Sequence, residues 1–280
     1  MARMKIFNTL EQEEFESPPI FSSADRKKFF SLPLTLKNTM INLRTPNNKV
    51  FFLVASGYFK ARRKFFGWQF RQSDIQYVAL QIGVNLDEIT INAYSKESYA
   101  RHQRIILNYF GFKAFDLTAK NFIIKEITTL IRVQFRPKLI MLESIETLIR
   151  HNIALPSYNV LADLIITEIN HQRVLLGEIV DGCLSENQRQ KLDDLLEKEP
   201  NDKIDGGWRY RLTLLKKPYQ STQPTKIRAN LSDLNILQTL YLDLKTTLSQ
   251  LNLSSECIRY YAYSVIKSQI PQVSRRADAE

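Results

Sequence analysis

The 280 residues are 44% hydrophobic and 11% aromatic, which suits buried cores, excludes a disordered tail, and at the usual ~100 to 200 residues per domain allows two or three domains. Thirty-nine Lys and Arg against 29 Asp and Glu give a net charge of +10, which favours an anionic partner such as nucleic acid or a membrane surface. Cys183 and Cys257 stand in unrelated contexts, excluding a disulfide framework and fitting a reducing cytoplasm, and no stretch approaches the roughly 18 apolar residues of a membrane span.

Helix follows helix along the chain, with few strand-like alternations, so the expected fold is all-α: consecutive small helical bundles with helix-turn-helix-like units. A short helix covers Leu10 to Phe15 and breaks at Ser17-Pro18-Pro19. Ser22 or Ser23 can cap a second running to Phe30, and Pro33 lets a third run to about Leu43. Thr45-Pro46-Asn47-Asn48 is read as the turn before the next.

The stretch from Val50 to Arg71 (VFFLVASGYFKARRKFFGWQFR) carries Lys60, Arg62, Arg63, Lys64 and Arg71 with no acid, interleaved with aromatics. Read as a helix, it places Val50, Val54, Tyr58, Ala61 and Phe65 on a packing face and Lys60, Arg63 and Lys64 on another, able to meet an anion. A solvated basic face over an aromatic core is the alternative. Gly57 inside that helix costs about 1 kcal/mol relative to Ala unless a neighbour needs the missing Cβ.

Ser73 to Gln76 reads as a capping box, Ile75, Val78, Ala79 and Ile82 follow at helical spacing, and Gly83 supplies a left-handed stop. A short helix from Asn85 or Asp87, with Leu86, Ile89 and Ala93 inward, would complete a helix-turn-helix outline. Asp87 and Glu88 would repel phosphates there. The next helices run from about Lys96 to Tyr109, ending at Phe110-Gly111-Phe112, and from a Thr118 cap to about Phe135. Between Arg101 and Lys138 eight basic residues face two acids, a second positive region.

Residues 140 to 203 reverse the balance, with twelve acids against six Lys or Arg. Helices are expected near Leu139 to Arg150, Tyr158 to Val180 and Ser185 to Lys198, the last opened by a capping box from Ser185 to Gln188. Their acids are dispersed as on solvated faces, unlike catalytic carboxylates. A boundary falls between Glu199 and Gly207, and Trp208 to Arg228 is again basic, with Pro218 to Pro224 an extended linker. Beyond it Leu231, Leu234, Leu237, Leu240, Leu244, Leu248 and Leu251 mark an amphipathic helix whose stripe is a packing seam, internal or against another subunit. Ser274 to Glu280 looks like a helix just starting, as in a truncated chain.

No phosphate-loop, dinucleotide, nucleophile-elbow or HExxH pattern is present, and His102, His151 and His171 have no ligand spacing with the cysteines, so neither catalysis nor a metal is expected. A nucleic-acid-binding helical protein ranks first, and a helical adaptor or oligomerisation module second.

Gly57 to Phe66 (GYFKARRKFF), Leu80 to Val84 (LQIGV), Tyr99 with Arg101 and His102, and the turn Phe110 to Phe115 (FGFKAF) resemble the N-terminal region of Tn-three family transposases. The likeness continues through Ile153 to Pro156 (IALP), Leu184-Ser185, Leu192 to Leu196 (LDDLL) and Leu214 to Pro218 (LLKKP), in order over nearly the whole chain. It implies a bacterial, cytoplasmic, nucleoid-associated protein that binds double-stranded DNA at the terminal inverted repeats of a transposon. The family's metal-dependent acidic-triad domain has no matching positions here, so no enzymatic role and no cofactor are expected.

The expected organisation is a first DNA-binding module over 1–94, a second over 95–203, and a basic linker with helices over 204–280, leading on to a catalytic part and offering a homodimer contact. Lys60, Arg62, Arg63, Lys64 and Arg71 are the first expected DNA contacts. Arg101, Arg104, Lys113, Lys120 and Arg132 are the second group, and Arg209, Arg211, Lys216, Lys217, Lys226 and Arg228 the third.

Overall fold

The computed structural model describes residues 5–31, 33–197, 210–216, 222–251 and 253–268. It is all-α: the described residues form helices without a sheet, and their extended pairing includes two isolated parallel bridges, Lys64 with Leu155 and Lys113 with Ile153. The helices are α1 (Thr9–Glu16), α2 (Ser23–Phe29), α3 (Leu34–Ile41), α4 (Pro46–Arg62), α5 (Gln72–Ile82), α6 (Lys96–Phe110), α7 (Leu117–Val133), α8 (Pro137–Arg150), α9 (Tyr158–Cys183), α10 (Glu186–Asp193), α11 (Arg211–Lys216), α12 (Pro224–Gln250) and α13 (Ser255–Lys267). Two compact units result, one of Met1–Ile127 with Pro137–Ile166, the other of Thr128–Arg136 with Thr167–Glu280. The divisions expected near 94 and 203 therefore each fall inside a unit.

The first unit is assembled around α4. Every residue from Val50 to Phe59 is buried, because this segment is apolar all round and not along one stripe. Helices α2, α3, α5 and α6 pack against it. The expected two-faced helix is thus a core helix enclosed by neighbours, with Phe51 stacked on Tyr94 at 4.9 Å and Phe59 on Phe65 at 4.7 Å. Thr45 caps it and Pro46 occupies its first turn, so the expected turn is the helix start. Gly57 is where Phe30 comes closest: a Cβ there would lie 2.4 Å from the Phe30 ring, itself held among Phe21, Tyr58 and Tyr77.

A buried polar network closes this core. Asp74, fully enclosed, accepts from Arg26 Nε at 2.7 Å and from the Tyr58 hydroxyl at 2.8 Å. The Tyr58 oxygen in turn accepts from the Arg71 backbone N–H at 3.0 Å. This replaces the expected capping box: α5 begins at Gln72, without a side-chain cap, and Ser73 Oγ accepts from Arg26 instead. Gly83 does end α5, in the left-handed conformation at φ 70°.

The second helix of the helix-turn-helix outline does not form. Residues 84 to 95 make two 3₁₀ turns, Leu86–Glu88 and Ile91–Ala93, with Leu86 and Ala93 exposed and Ile89 half-buried. The buried Asn47 side chain pins this segment, donating to the Thr90 carbonyl at 2.7 Å and accepting from its N–H at 2.9 Å. Two hydrogen bonds to one residue of an irregular segment satisfy backbone groups that a helix would satisfy internally.

Further on, Gly111 ends α6 at φ 70°, and Asp116, not Thr118, caps α7 by accepting from the Ala119 N–H at 2.9 Å. In the second unit Ser185 and Gln188 form the expected capping box on α10. The linker residues 218–221, the boundary segment 199–207 and the C-terminal 274–280 lie outside the described residues.

Candidate nucleic-acid interface

The first basic group is largely turned inward. Helix α4 stops at Arg62, and Arg63 takes up a left-handed backbone at φ 55°, a conformation usually left to Gly or Asn. It is held there because its guanidinium lies over the rings of Phe110 and Phe112, 5.6 and 5.2 Å from their centroids, while its carbonyl accepts from Leu155 N–H at 2.9 Å. Burial lowers its pKa from the ordinary arginine value.

Lys64 is 3% exposed; its Nζ donates to the Phe15 carbonyl at 2.9 Å and to Glu16 Oε1 at 2.8 Å, with the Phe15 ring 3.9 Å away. Burial lowers its pKa, against the opposing pull of Glu16. Lys60, half-buried, donates to the Lys28 carbonyl at 2.7 Å, and burial followed by the nearby Lys28 and Arg63 charges lowers its pKa. Arg71 grips the Pro18 carbonyl at 2.8 Å through Nη2 and the Pro19 carbonyl at 3.1 Å through Nε. Lys64 and Lys60 thereby satisfy orphan carbonyls in the last turns of α1 and α2, where a cation also meets the negative end of the helix dipole. Lys60, Lys64 and Arg71 consequently hold the fold and do not form the expected outward-facing basic surface. Arg62 is the exposed member, at 3.3 Å from Glu14.

The second group is placed differently. Arg101 and Arg104, one turn apart on α6, are exposed, as are Lys113 after the α6 stop and Lys120 in the first turns of α7. None of these four side chains has an ion pair or hydrogen bond among the described residues. Asp116 in their midst is occupied as the α7 cap. The opposite side of α6 explains why these cations point out: Tyr99, His102, Ile106 and Leu107 are buried, at spacings of three, four and one. His102 is wholly enclosed, its Nδ1 2.8 Å from the Tyr94 hydroxyl, and burial, with the Arg101 charge, pushes its pKa down to about 4.

In the second unit Arg132 and Arg228 are exposed without a polar side-chain partner among the described residues, whereas Lys216 donates to the Ser268 carbonyl at 2.7 Å and Arg211 and Lys226 are half-buried. Arg209 and Lys217 lie outside the described residues. Sequence reasoning counted Lys138 only as part of a basic region. The fold pairs it with Glu11, 127 residues earlier, a relation no local spacing carries. Among the described residues no group of three or more His, Cys, Asp or Glu could hold a metal ion, and no helix is long and apolar enough to cross a membrane.

These features define an all-α protein whose first unit presents uncompensated Arg and Lys on α6 and the following turn. The chain belongs to the family described as a domain of unknown function, DUF4158, which matches residues 6–167 and so takes in α1 to α8 and the start of α9. No curated protein matches the chain.

Proposed function

We propose that the chain binds double-stranded DNA in a sequence-specific manner, recognising the terminal inverted repeats of a transposon during DNA transposition, without itself carrying the catalytic step. The resemblance to Tn-three family transposases supplies the substrate. The observation that carries the reading is the set Arg101, Arg104, Lys113 and Lys120, exposed and without an ion pair among the described residues. A cation already paired within the protein must break that pair to meet a phosphate, and an unpaired one pays no such cost. Arginine on a helix can in addition read guanine edges through two parallel hydrogen bonds.

A gel-shift with inverted-repeat and scrambled duplexes tests this. Specific binding should show a log-log salt slope of about −4 for four engaged phosphates, and Arg101→Glu with Arg104→Glu should abolish it while leaving the circular dichroism unchanged. A slope near zero sinks the reading.

The exposed apolar side chains of α12 favour a second reading, a helical oligomerisation module. Ile227, Leu231, Leu234, Tyr241 and Leu248 are between 45% and 59% exposed and recur every three to seven residues. Under that reading light scattering gives a dimer mass and the chain shows no preference for DNA.

A further inference from the structure

Helix α1 (TLEQEEFE) carries four carboxylates in eight residues, and none of its residues is buried. Three of the four are matched to cations from elsewhere in the first unit: Glu11 to Lys138, Glu14 to Arg62 at 3.3 Å, and Glu16 to Lys64 at 2.8 Å. A cavity of about 380 Å³ adjoins it, with Phe7, Phe15, Ala61, Leu142, Ile145 and Leu155 among its walls, where a docked helix would ordinarily be close-packed.

The two ends of this segment are fastened more firmly. The Ile6 and Phe7 N–H groups both donate to the Tyr158 hydroxyl at 3.3 Å, and Glu16 also accepts from the Tyr158 N–H. The middle of α1 is held by Glu11 and Glu14 through solvent-accessible ion pairs, which are individually weak and weakened further by salt.

We propose that α1 is a displaceable acidic cover over a second duplex-contact surface, in which Arg62 and Lys138 exchange the carboxylates of Glu14 and Glu11 for DNA phosphates. This rests on the reading of the chain as a DNA-binding protein. Carboxylate and phosphate offer these cations the same anionic oxygens, so both cannot hold them at once, and the cover sets a threshold that a weakly bound duplex does not cross. Lys64 and Glu16 stay paired as the hinge.

The test uses the full chain, an inverted-repeat duplex and single neutralisations within α1. Glu14→Gln and Glu11→Gln should each tighten binding about three- to fivefold and the double variant about tenfold. Gln keeps the length and the capping role of Glu11, which caps α1 together with Asn8. Glu13→Gln removes the same charge from an exposed residue with no ion pair among the described residues, and should change affinity less than twofold.

Adding Arg62→Ala and Lys138→Ala should erase the gain, and amide hydrogen exchange at residues 12 to 17 should quicken when duplex is added. Equal effects of Glu13→Gln and Glu14→Gln, or unchanged exchange in the bound state, overturn the cover. If Arg101→Glu with Arg104→Glu still abolishes binding in that assay, only the cover falls. Failure of every variant to bind removes the underlying reading as well.

Discussion

The two units solve the problem of burying helices in opposite ways. In the first, a ten-residue run of α4 that is apolar on every side gathers its neighbours around it, and Asp74, Tyr58 and Arg26 close the core with a satisfied polar network. In the second, the apolar side chains fully buried among the described residues are Ile131, Phe135, Ile169 and Cys257. Polar tethers do much of the remaining work: Lys191 to Asp243 at 2.9 Å, Arg173 to the Tyr260 hydroxyl at 3.1 Å, and Ser254 Oγ to the Val133 carbonyl at 2.7 Å. A cavity of about 610 Å³ bounded by Arg173, Leu176, Leu248, Leu253, Tyr260 and Tyr261 fits that looser construction. Stability rests in the first unit on burial and in the second on contacts that solvent can compete for.

This contrast makes definite demands on substitutions. The largest effect should come from Asp74→Ala, which leaves Arg26 and the Tyr58 hydroxyl without their buried acceptor. A loss of about 3 to 5 kcal/mol in urea unfolding is expected, and a loss under 1 would show that the network does not lock the core.

Acid should act through His102. Its folded pKa of about 4 lies below the unfolded value near 6.5, so the folded state takes up the proton later than the unfolded chain. The stabilisation is complete above pH 6.5 and declines by about 3 kcal/mol as the pH falls to 4, a slope that His102→Gln should remove from unfolding curves recorded across that range.

Gly57→Ala comes next, at about 1 to 3 kcal/mol, since the added methyl meets the immobilised Phe30 ring at 2.4 Å. The smallest effect belongs to the second unit, where Leu231→Glu with Leu234→Glu should change monomer stability by less than about 0.5 kcal/mol each. A larger loss would mean that the α12 stripe is packed after all, and a fall in mass by light scattering would assign it to self-association.

Much of this architecture was legible in local patterns. The caps at Ser22 and Ser185, the stop glycines Gly83 and Gly111, and the helices over Lys96 to Phe110 and Pro224 to Gln250 follow from residue chemistry acting within one turn. Failures occurred where a distant residue supplied a better partner. Asn47 holds Thr90 in a 3₁₀ segment in place of the expected second helix, and the Ser73 hydroxyl accepts from Arg26 instead of capping α5. The leucine stripe of α12 was visible, but not that Leu231 and Leu234 remain 56% and 59% exposed.

The charge of the Val50 to Arg71 stretch illustrates the division most directly. By itself the sequence determined that this segment would begin as an apolar helix and carry its cations toward its end, because those properties belong to the residues; that the helix stops at Arg62, short of the expected run through Phe65, was decided by the packing around Arg63. Only the tertiary structure decided what the cations do. The last turns of α1 and α2 bring the Phe15 and Lys28 carbonyls to Lys64 and Lys60, while nothing comparable approaches Arg101, Arg104, Lys113 or Lys120 among the described residues. Whether a lysine is a cap or a contact for an anion depends on which backbone groups the rest of the chain leaves unsatisfied beside it, and that is a property of the packed helices, not of the residue.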